Sequence, residues 1–396
     1  MDFYIVLIFD MCLQIPGGWL ADRFGGKRLL GGCILLSSVI SLLTPVAARF
    51  HLGVFVLLRV LSGLGNGVQF PAIHALIARW SAPMRRSVIV SLVLFGSPAG
   101  VVVGMLLSGV LCDYCFAGGW PSVFYVFGMV GCVWSAAWFL LCYDSPATHP
   151  RMSTAERQYW EKVIGTTDLA ARPPTSWRKM LMSVPVWALA VAFFANDWCF
   201  YTVVSCIPMF MHDVLGFDMT KNGTFSALPF LATVTMILTG WCSDWLRCSG
   251  KLSTTVVRKI FCVTGFVLTG CMLIIVGYSG CNRALAVAVM FIIQGCSKIS
   301  FPVVITNQLD LAPLHAGKIM GLTYTIAIVA QIAVPHVVGA LTYHRSTRFE
   351  WQIIFFLAAG IYAVSAIVFV IFGSGNLQSW ADMPGVHVTN VEQLQL

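Results

Sequence analysis

The sequence predicts an all-α membrane protein: about eleven transmembrane helices, five and then six, in two pseudo-symmetric halves. Three observations predict it. The first is composition. Of 396 residues, 58% are hydrophobic and 10% are charged, and the mean hydropathy is +0.84; a soluble globular domain carries roughly 25% charged residues. These values exclude a water-soluble fold, a disordered chain, a collagen-like repeat and a small disulfide scaffold. The second is segmentation. The apolar runs are long and unbroken, and about 20 such residues span the ~30 Å hydrocarbon core as a helix; an outer-membrane barrel would show short alternating strands. The third is an internal repeat.

The expected spans are 3–22, 29–48, 52–78, 88–112 and 120–143, then 184–211, 224–246, 258–278, 284–307, 318–342 and 352–373. They divide the chain into an incomplete N-terminal bundle (1–143), a central loop (144–183), a six-helix C-terminal bundle (184–373) and a tail (374–396). In the polar central loop, Ser153 and Glu156 form a capping-box pattern, which predicts a short helix at the membrane surface.

Basic residues set the orientation. Seventeen Lys and Arg fall on the side of the central loop and five on the other, while Arg59 and Lys298 lie inside spans. The loop and the tail are therefore expected in the cytosol. The net charge of +8 reads as this bias and not as nucleic-acid binding. With five spans before a cytosolic loop, Met1 falls outside, and no signal peptide accounts for it. The expectation is that a first helix is missing, through splicing, an upstream start or an incomplete gene annotation. Fourteen cysteines sit mostly in apolar spans as small hydrophobes. Cys112 and Cys115 form a CxxC with no second Cys/His pair nearby in sequence, so no metal site is expected. Asn222 begins a glycosylation sequon on the outer side; it is either used or too close to the membrane.

The repeat has two parts. Gly18-Trp19 is followed by Asp22, as Gly240-Trp241 is by Asp244, and basic residues follow both. Phe70-Pro71 precedes Ala82-Pro83 as Phe301-Pro302 precedes Ala312-Pro313. Duplicated bundles of this kind hold their substrate between the halves, near the bilayer midplane.

Gly18, Asp22, Arg23, Gly25, Lys27 and Arg28 form a G-x-x-x-D-R-x-G-x-K-R motif that resembles the loop motif of the major facilitator superfamily. Longer strings, among them QIPGGWLADRFGGKR (14–28), GLGNGVQFPAIHA (63–75), NGTFSALPFLA (222–232) and NQLDLAP (307–313), resemble its anion:cation symporter branch, which contains sialin, the vesicular glutamate transporters and the type I sodium–phosphate cotransporters. The resemblance runs from Gln14 to Pro384, and the first 13 residues match poorly. It implies a major facilitator bundle, no enzyme activity, no cofactor beyond a coupling ion (proton or sodium), and a monomer that meets lipid and a small anion.

A charge at the bilayer centre costs about 2.5–3.5 kcal/mol on insertion scales, so such residues usually face the bundle interior and have a task. Arg59 can grip a carboxylate or phosphate bidentately; the resemblance implies that it binds the substrate anion, and the alternative is a structural pairing with another helix. Asn66 lies about 20° away on the same helical face. It stands where the family carries glutamate, so proton coupling is expected to be lost there or moved. It is either a substrate contact or an interhelical hydrogen bond. Asp197 is the candidate for the moved coupling group, and the alternative is neutralisation of Lys298 or Arg59. Asn196 and Tyr201 flank it as candidate substrate contacts. Lys298 would add positive charge to the cavity, unless it pairs with Asp197 or snorkels to an interface. Asp22, Arg23, Arg28, Asp244 and Asp310, near cytosolic helix ends, are expected to gate by pairing with charges and helix termini. His74 is expected to be a packed residue.

The sequence therefore reads as a secondary active transporter of organic or inorganic anions, working by alternating access and coupled to protons, sodium or voltage. It is expected in the lysosomal, vesicular or plasma membrane. The alternative is a transport-inactive truncated isoform or a receptor-like membrane protein. No GxSxG, HExxH or Walker motif supports an enzyme.

Overall fold

A computed structural model describes residues 2–113, 118–164, 177–203, 231–278, 283–343 and 347–381. Five long helices come first: α1 (Asp2–Phe24), α2 (Gly26–Phe50), α3 (Leu52–Trp80), α4 (Arg86–Asp113) and α5 (Pro121–Leu141). The central segment contributes α6 (Thr154–Ile164) and α7 (Trp177–Leu181). The remaining helices are α8 (Val184–Tyr201), α9 (Thr235–Cys248), α10 (Thr254–Tyr278), α11 (Arg283–Leu311), α12 (Ala316–Thr342) and α13 (Arg348–Phe372). Ten helical segments among the described residues are long and apolar enough to cross a membrane. The expected span 224–246 is described only from residue 231, and the end of 184–211 only to residue 203. Cys115, the Asn222 sequon and most of the 374–396 tail also lie outside the described residues.

In the first half, α3 packs on α1 and α2, and α5 packs on α2. In the second, α8 packs on α11, α12 and α13, while α10 packs on α11 and α13. The halves meet where α12 lies on α1 and α3, and where α4 lies on α9 and α11. Large apolar side chains such as Val133, Leu140 and Trp241 are exposed around the outside, as a lipid-facing surface requires. Phe193, Phe266, Met290, Trp351 and Tyr362 are fully buried in the second half.

Several helices run past the apolar limits read from the sequence. α11 continues through Asn307, Gln308 and Asp310 to Leu311, and all four are buried. Hydropathy registers where lipid ends, whereas the backbone ladder continues as long as neighbouring helices cover it. The Ser153–Glu156 box is formed: the Glu156 amide donates to Ser153 Oγ at 3.2 Å, and the Ser153 amide to Glu156 Oε2 at 3.0 Å. The Ser153 amide and the Ser153 hydroxyl, which donates to Glu156 Oε2 at 3.0 Å, together hold the exposed Glu156 carboxyl below its ordinary range, and the box starts α6.

Small residues fix how closely the halves approach. Gly18 of α1 lies against the Gly317 backbone, and Gly321 of α12 against Gln14; a side chain at either position would displace backbone. Within the first half, Gly63 and Gly67 of α3 lie equally close to the Val6 and Asp10 backbone of α1. Gly25, at φ 91°, makes the turn from α1 to α2 beneath the Asp144 carboxylate, a backbone region that glycine enters freely.

Candidate functional site

The two halves are tied at their Lys/Arg-rich ends. The first four amides of a helix lack intrahelical acceptors, and the helix dipole makes that end attractive to a carboxylate. Asp244 of α9 uses this on α4, accepting from the Ser87 amide at 3.3 Å and the Val88 amide at 2.9 Å. Arg247 steadies it at 3.8 Å and donates to the Pro83 carbonyl at 3.0 Å. Asp22 of α1 occupies the corresponding place at the start of α12. It lies beside Gly317 and 3.7 Å from the Lys318 ammonium. Each aspartate of the repeated Gly-Trp motif thus docks on the first turn of a helix in the opposite half.

Between these two docks lies a buried ionic knot. Arg258 of α10, 1% exposed, grips Asp310 Oδ2 through Nε at 2.9 Å and Nη2 at 2.8 Å. Its Nη1 donates to Ser87 Oγ at 2.7 Å and to Ser243 Oγ at 2.9 Å, reaching the first half. Arg86 of α4 approaches Asp310 at 3.9 Å and donates to the Leu309 carbonyl at 3.2 Å, a cation at the C-terminal end of α11. Of the five gating candidates, Asp22, Asp244 and Asp310 lie in these contacts. Arg23 and Arg28 do not: Arg23 is exposed and stacks over Trp19 and Phe24, and Arg28 is exposed. In the sequence, Arg79, Arg86, Arg247, Arg258 and Lys318 are indistinguishable from orientation signals, because basic residues collect at helix ends for that reason alone. Arg79 donates to the Asp22 carbonyl at 3.5 Å and pairs with Asp144 at 3.8 Å.

Deeper in the bundle, an aromatic layer joins the halves. Phe70 of α3 lies 4.7 Å from Tyr324 of α12, and Tyr324 meets Phe193 of α8 edge-on at 5.8 Å. Phe193 in turn lies 6.0 Å from Phe301 of α11. The two Phe-Pro repeats therefore place their phenylalanines in one layer.

Outward of this layer sits a polar group of buried side chains. Asp197 of α8 accepts from Gln331 Nε2 of α12 at 2.7 Å, and the same amide reaches the Tyr324 hydroxyl at 3.2 Å. Lys298 of α11 is buried, with its ammonium 4.5 Å from the centre of the Phe301 ring and 4.8 Å from that of Phe200. It lies within Coulombic reach of Asp197, yet the two form no ion pair of contact length among the described residues. Tyr201, one turn beyond Asp197, lies in the field of that carboxylate. Asn196 spends its carboxamide on the helix packing, donating to the Ala192 carbonyl at 2.9 Å and accepting from Ser300 Oγ at 2.9 Å.

Arg59, Asn66 and Phe70 share one face of α3, within about 40° at 100° per residue, and Phe70 fixes that face towards α12. Arg59 lies some 16 Å outward of Phe70 along the helix. Its guanidinium stacks over Phe55 and over Phe124 of α5, at 4.9 and 5.7 Å, and its buried Nε has no hydrogen-bond partner among the described residues. It makes no contact with Asp197. Asn66 accepts from Gln69 at 3.0 Å. His74 is fully buried, with Nδ1 on the Phe70 carbonyl at 2.8 Å. The structure thus gathers Asp197, Lys298 and Tyr201, and sets Arg59 and Asn66 further along the α3 face. Asp10, Gln14, Tyr324 and Gln331 are also buried polar or hydrogen-bonded residues of the interior, and no motif in the sequence marks them. Asp10 carries the same signal as Asp197, an intramembrane carboxylate, but in the stretch least like the family.

The structure is thus two packed helical halves with buried polar side chains at the centre and ionic contacts at the Lys/Arg-rich end. Residues 3–249 match the profile described as Major Facilitator Superfamily. Sialin from Ovis aries is 39% identical over 372 residues, covering 93% of this chain and 74% of that protein. Vesicular glutamate transporter 3 from Danio rerio is 38% identical over 374 residues, and vesicular glutamate transporter 2 from Homo sapiens 39% over 374. Each of these two alignments covers 93% of this chain, which spans 62% and 63% of those transporters' length. In fold, the structure is similar to the proton:xylose symporter XylE bound to 6-bromo-6-deoxy-D-glucose, with a TM-score of 0.72, 15% identity and coverage of 95% of this chain and 86% of that one. The chain belongs to the major facilitator superfamily, in the branch of sialin and the vesicular glutamate transporters. It is a multi-pass integral membrane protein of a transporter family and not an enzyme.

Proposed function

We propose that the chain moves a small organic or inorganic anion across the membrane by alternating access, with the binding site between Lys298 and the Arg59–Asn66 face of α3. The observation that carries this reading is Lys298. A buried ammonium is costly unless a counter-charge lies against it, and this one rests on two aromatic rings with Asp197 held off on Gln331. An anionic cargo supplies the missing partner. Arg59, further out on the same central face, receives the anion first. Glutamate, named in the vesicular transporters, heads the substrate candidates, with sialic acid and phosphate beside it.

In the alternating step, the cytosolic ties part and the two halves rock about the aromatic layer. Asp22, Asp244 and Asp310 gate that step, because each holds a helix end or an arginine that the opposite half must release. Asp197 acts in coupling: its charge, beside Lys298, sets how strongly the site attracts an anion. The test is uptake of labelled glutamate, sialic acid and phosphate into proteoliposomes holding the purified chain, under imposed pH, sodium and voltage gradients. Accumulation of one of the three under one of the gradients supports the reading; no flux of any under any gradient contradicts it.

A further inference from the structure

Lys298 and Asp197 share one seam, between α11 and α8. Phe193, Asp197 and Phe200 fall along a single face of α8, each one turn from the next. The Phe193 ring lies 6.0 Å from that of Phe301, and the Phe200 ring lies 4.8 Å from the Lys298 ammonium. Lys298 and Phe301 are themselves one turn apart on α11, with the ammonium 4.5 Å from that ring. Beside them, Ser300 Oγ donates to Asn196 Oδ1 at 2.9 Å. Contacts before and after Asp197 thus hold its face of α8 against the turn of α11 that carries Lys298. Both residues are buried. An ammonium and a carboxylate in so dry a place pair with each other unless one of them is held elsewhere. Among the described residues, Asp197 bonds to Gln331 of α12 and not to Lys298.

Gln331 is 1% exposed. Its Nε2 donates to Asp197 Oδ2 at 2.7 Å and to the Tyr324 hydroxyl at 3.2 Å. An ionised carboxylate only accepts, so the nitrogen of the carboxamide is the atom that must face it. The other amide hydrogen goes to Tyr324, whose ring lies between those of Phe70 and Phe193. The aromatic layer therefore fixes the way the amide points. From this geometry we infer that Gln331 is a positioning residue of the anion site: it holds the Asp197 carboxylate on α12, off Lys298, and so leaves the ammonium to an anionic cargo. The inference rests on the transporter reading above. Asp197 is a tethered competitor, because a carboxylate of the chain and a carboxylate or phosphate of the cargo seek the same ammonium hydrogens. Gln331 decides between them and thereby sets how tightly the site holds its anion. A neutral donor suits this task. A basic residue in its place would add a second cation, and an apolar one would release Asp197.

The test uses the purified full chain and has two arms. The first needs no substrate. Dicyclohexylcarbodiimide, an apolar reagent, joins a carboxylate to an amine in contact with it and takes up the water that is lost; mass spectrometry then measures the Asp197–Lys298 linked peptides. The second is counterflow of labelled glutamate, sialic acid and phosphate, read as apparent affinity and maximal rate separately. In the unaltered chain the link is scarce. Gln331→Met, similar in size but unable to donate, raises it several-fold and weakens the apparent affinity for the carried anion about tenfold. Adding Asp197→Asn to Gln331→Met restores most of that affinity, which a loss of packing alone would not allow. If Gln331→Met fails to fold, Gln331→Asn, whose amide falls one methylene short, takes its place. Equal linkage in the unaltered chain and the Gln331 variant overturns the inference, as does an affinity that Asp197→Asn fails to restore. A rise in linkage without exchange of any anion by the unaltered chain supports the hold of Gln331 on Asp197 and contradicts the transporter reading alone.

Discussion

Asp22 and Asp244 stand at equivalent places in the two halves, and each docks on the first turn of a helix from the other half, α12 and α4 respectively. One short motif, duplicated with its bundle, therefore ties the halves twice at the Lys/Arg-rich end. A cap of this kind is worth about 0.5–2 kcal/mol. With the Asp22–Lys318 pair and the Arg258 knot beside it, the Asp244 cap joins the halves by contacts that a moderate input of free energy breaks.

Asp244→Ala therefore shifts the resting population towards a cytosol-open state by roughly tenfold, within the spread of that capping energy. Spin labels at Arg85 and Leu252, both exposed, report the distance between the α4 and α9–α10 ends. The distribution gains a longer component in the variant. Asp22→Ala acts likewise on α1 and α12 and leaves the Arg85–Leu252 component smaller than Asp244→Ala does.

Arg258→Ala strands Asp310 in the protein interior with Arg86 3.9 Å away. Removing one partner of a buried pair costs about 3–5 kcal/mol, whereas replacing both by apolar residues of similar size costs far less. The thermal midpoint of the purified protein drops steeply in Arg258→Ala and recovers most of the loss in the double variant Arg258→Met with Asp310→Leu. If the double variant is no better than the single, the knot owes its stability to packing rather than charge.

Gly321→Leu forces apart the α1–α12 contact, where the glycine meets the Gln14 backbone, whereas Gly339→Leu on the same helix enters open space. Overpacking costs about 1–3 kcal/mol. The first variant lowers the thermal midpoint and loosens the cytosolic closure; the second leaves both at the starting values.

The fold was readable because lipid imposes a simple rule: every apolar run of helical length must span, and basic residues mark the cytosolic ends. The repeat was readable for the same reason that it works. Asp22 and Asp244 must both be short acids one turn beyond Gly-Trp in order to reach a helix end. The centre was less readable. Asp197 and Lys298 announced themselves as intramembrane charges, but their spacing across α8 and α11 is a tertiary fact, and so is the diversion of Asp197 to Gln331. Asn196 looked like Asp197's equal by adjacency, yet one residue of helix turns it towards Ser300. Arg86 and Arg258 lie at positions where basic residues signal orientation, so no count of charges separates a topogenic arginine from one that clasps a buried aspartate.

The most direct test of the account is counterflow of labelled glutamate, sialic acid and phosphate in proteoliposomes carrying the unaltered chain, Lys298→Gln or Arg59→Gln. Counterflow needs binding and alternation but no gradient. The account predicts exchange of at least one anion by the unaltered chain, and a loss of about tenfold or more in Lys298→Gln from the missing charge-assisted contact. Arg59→Gln lowers the apparent affinity while leaving residual exchange at high anion concentration. Unchanged exchange in a well-folded Lys298→Gln protein would contradict it.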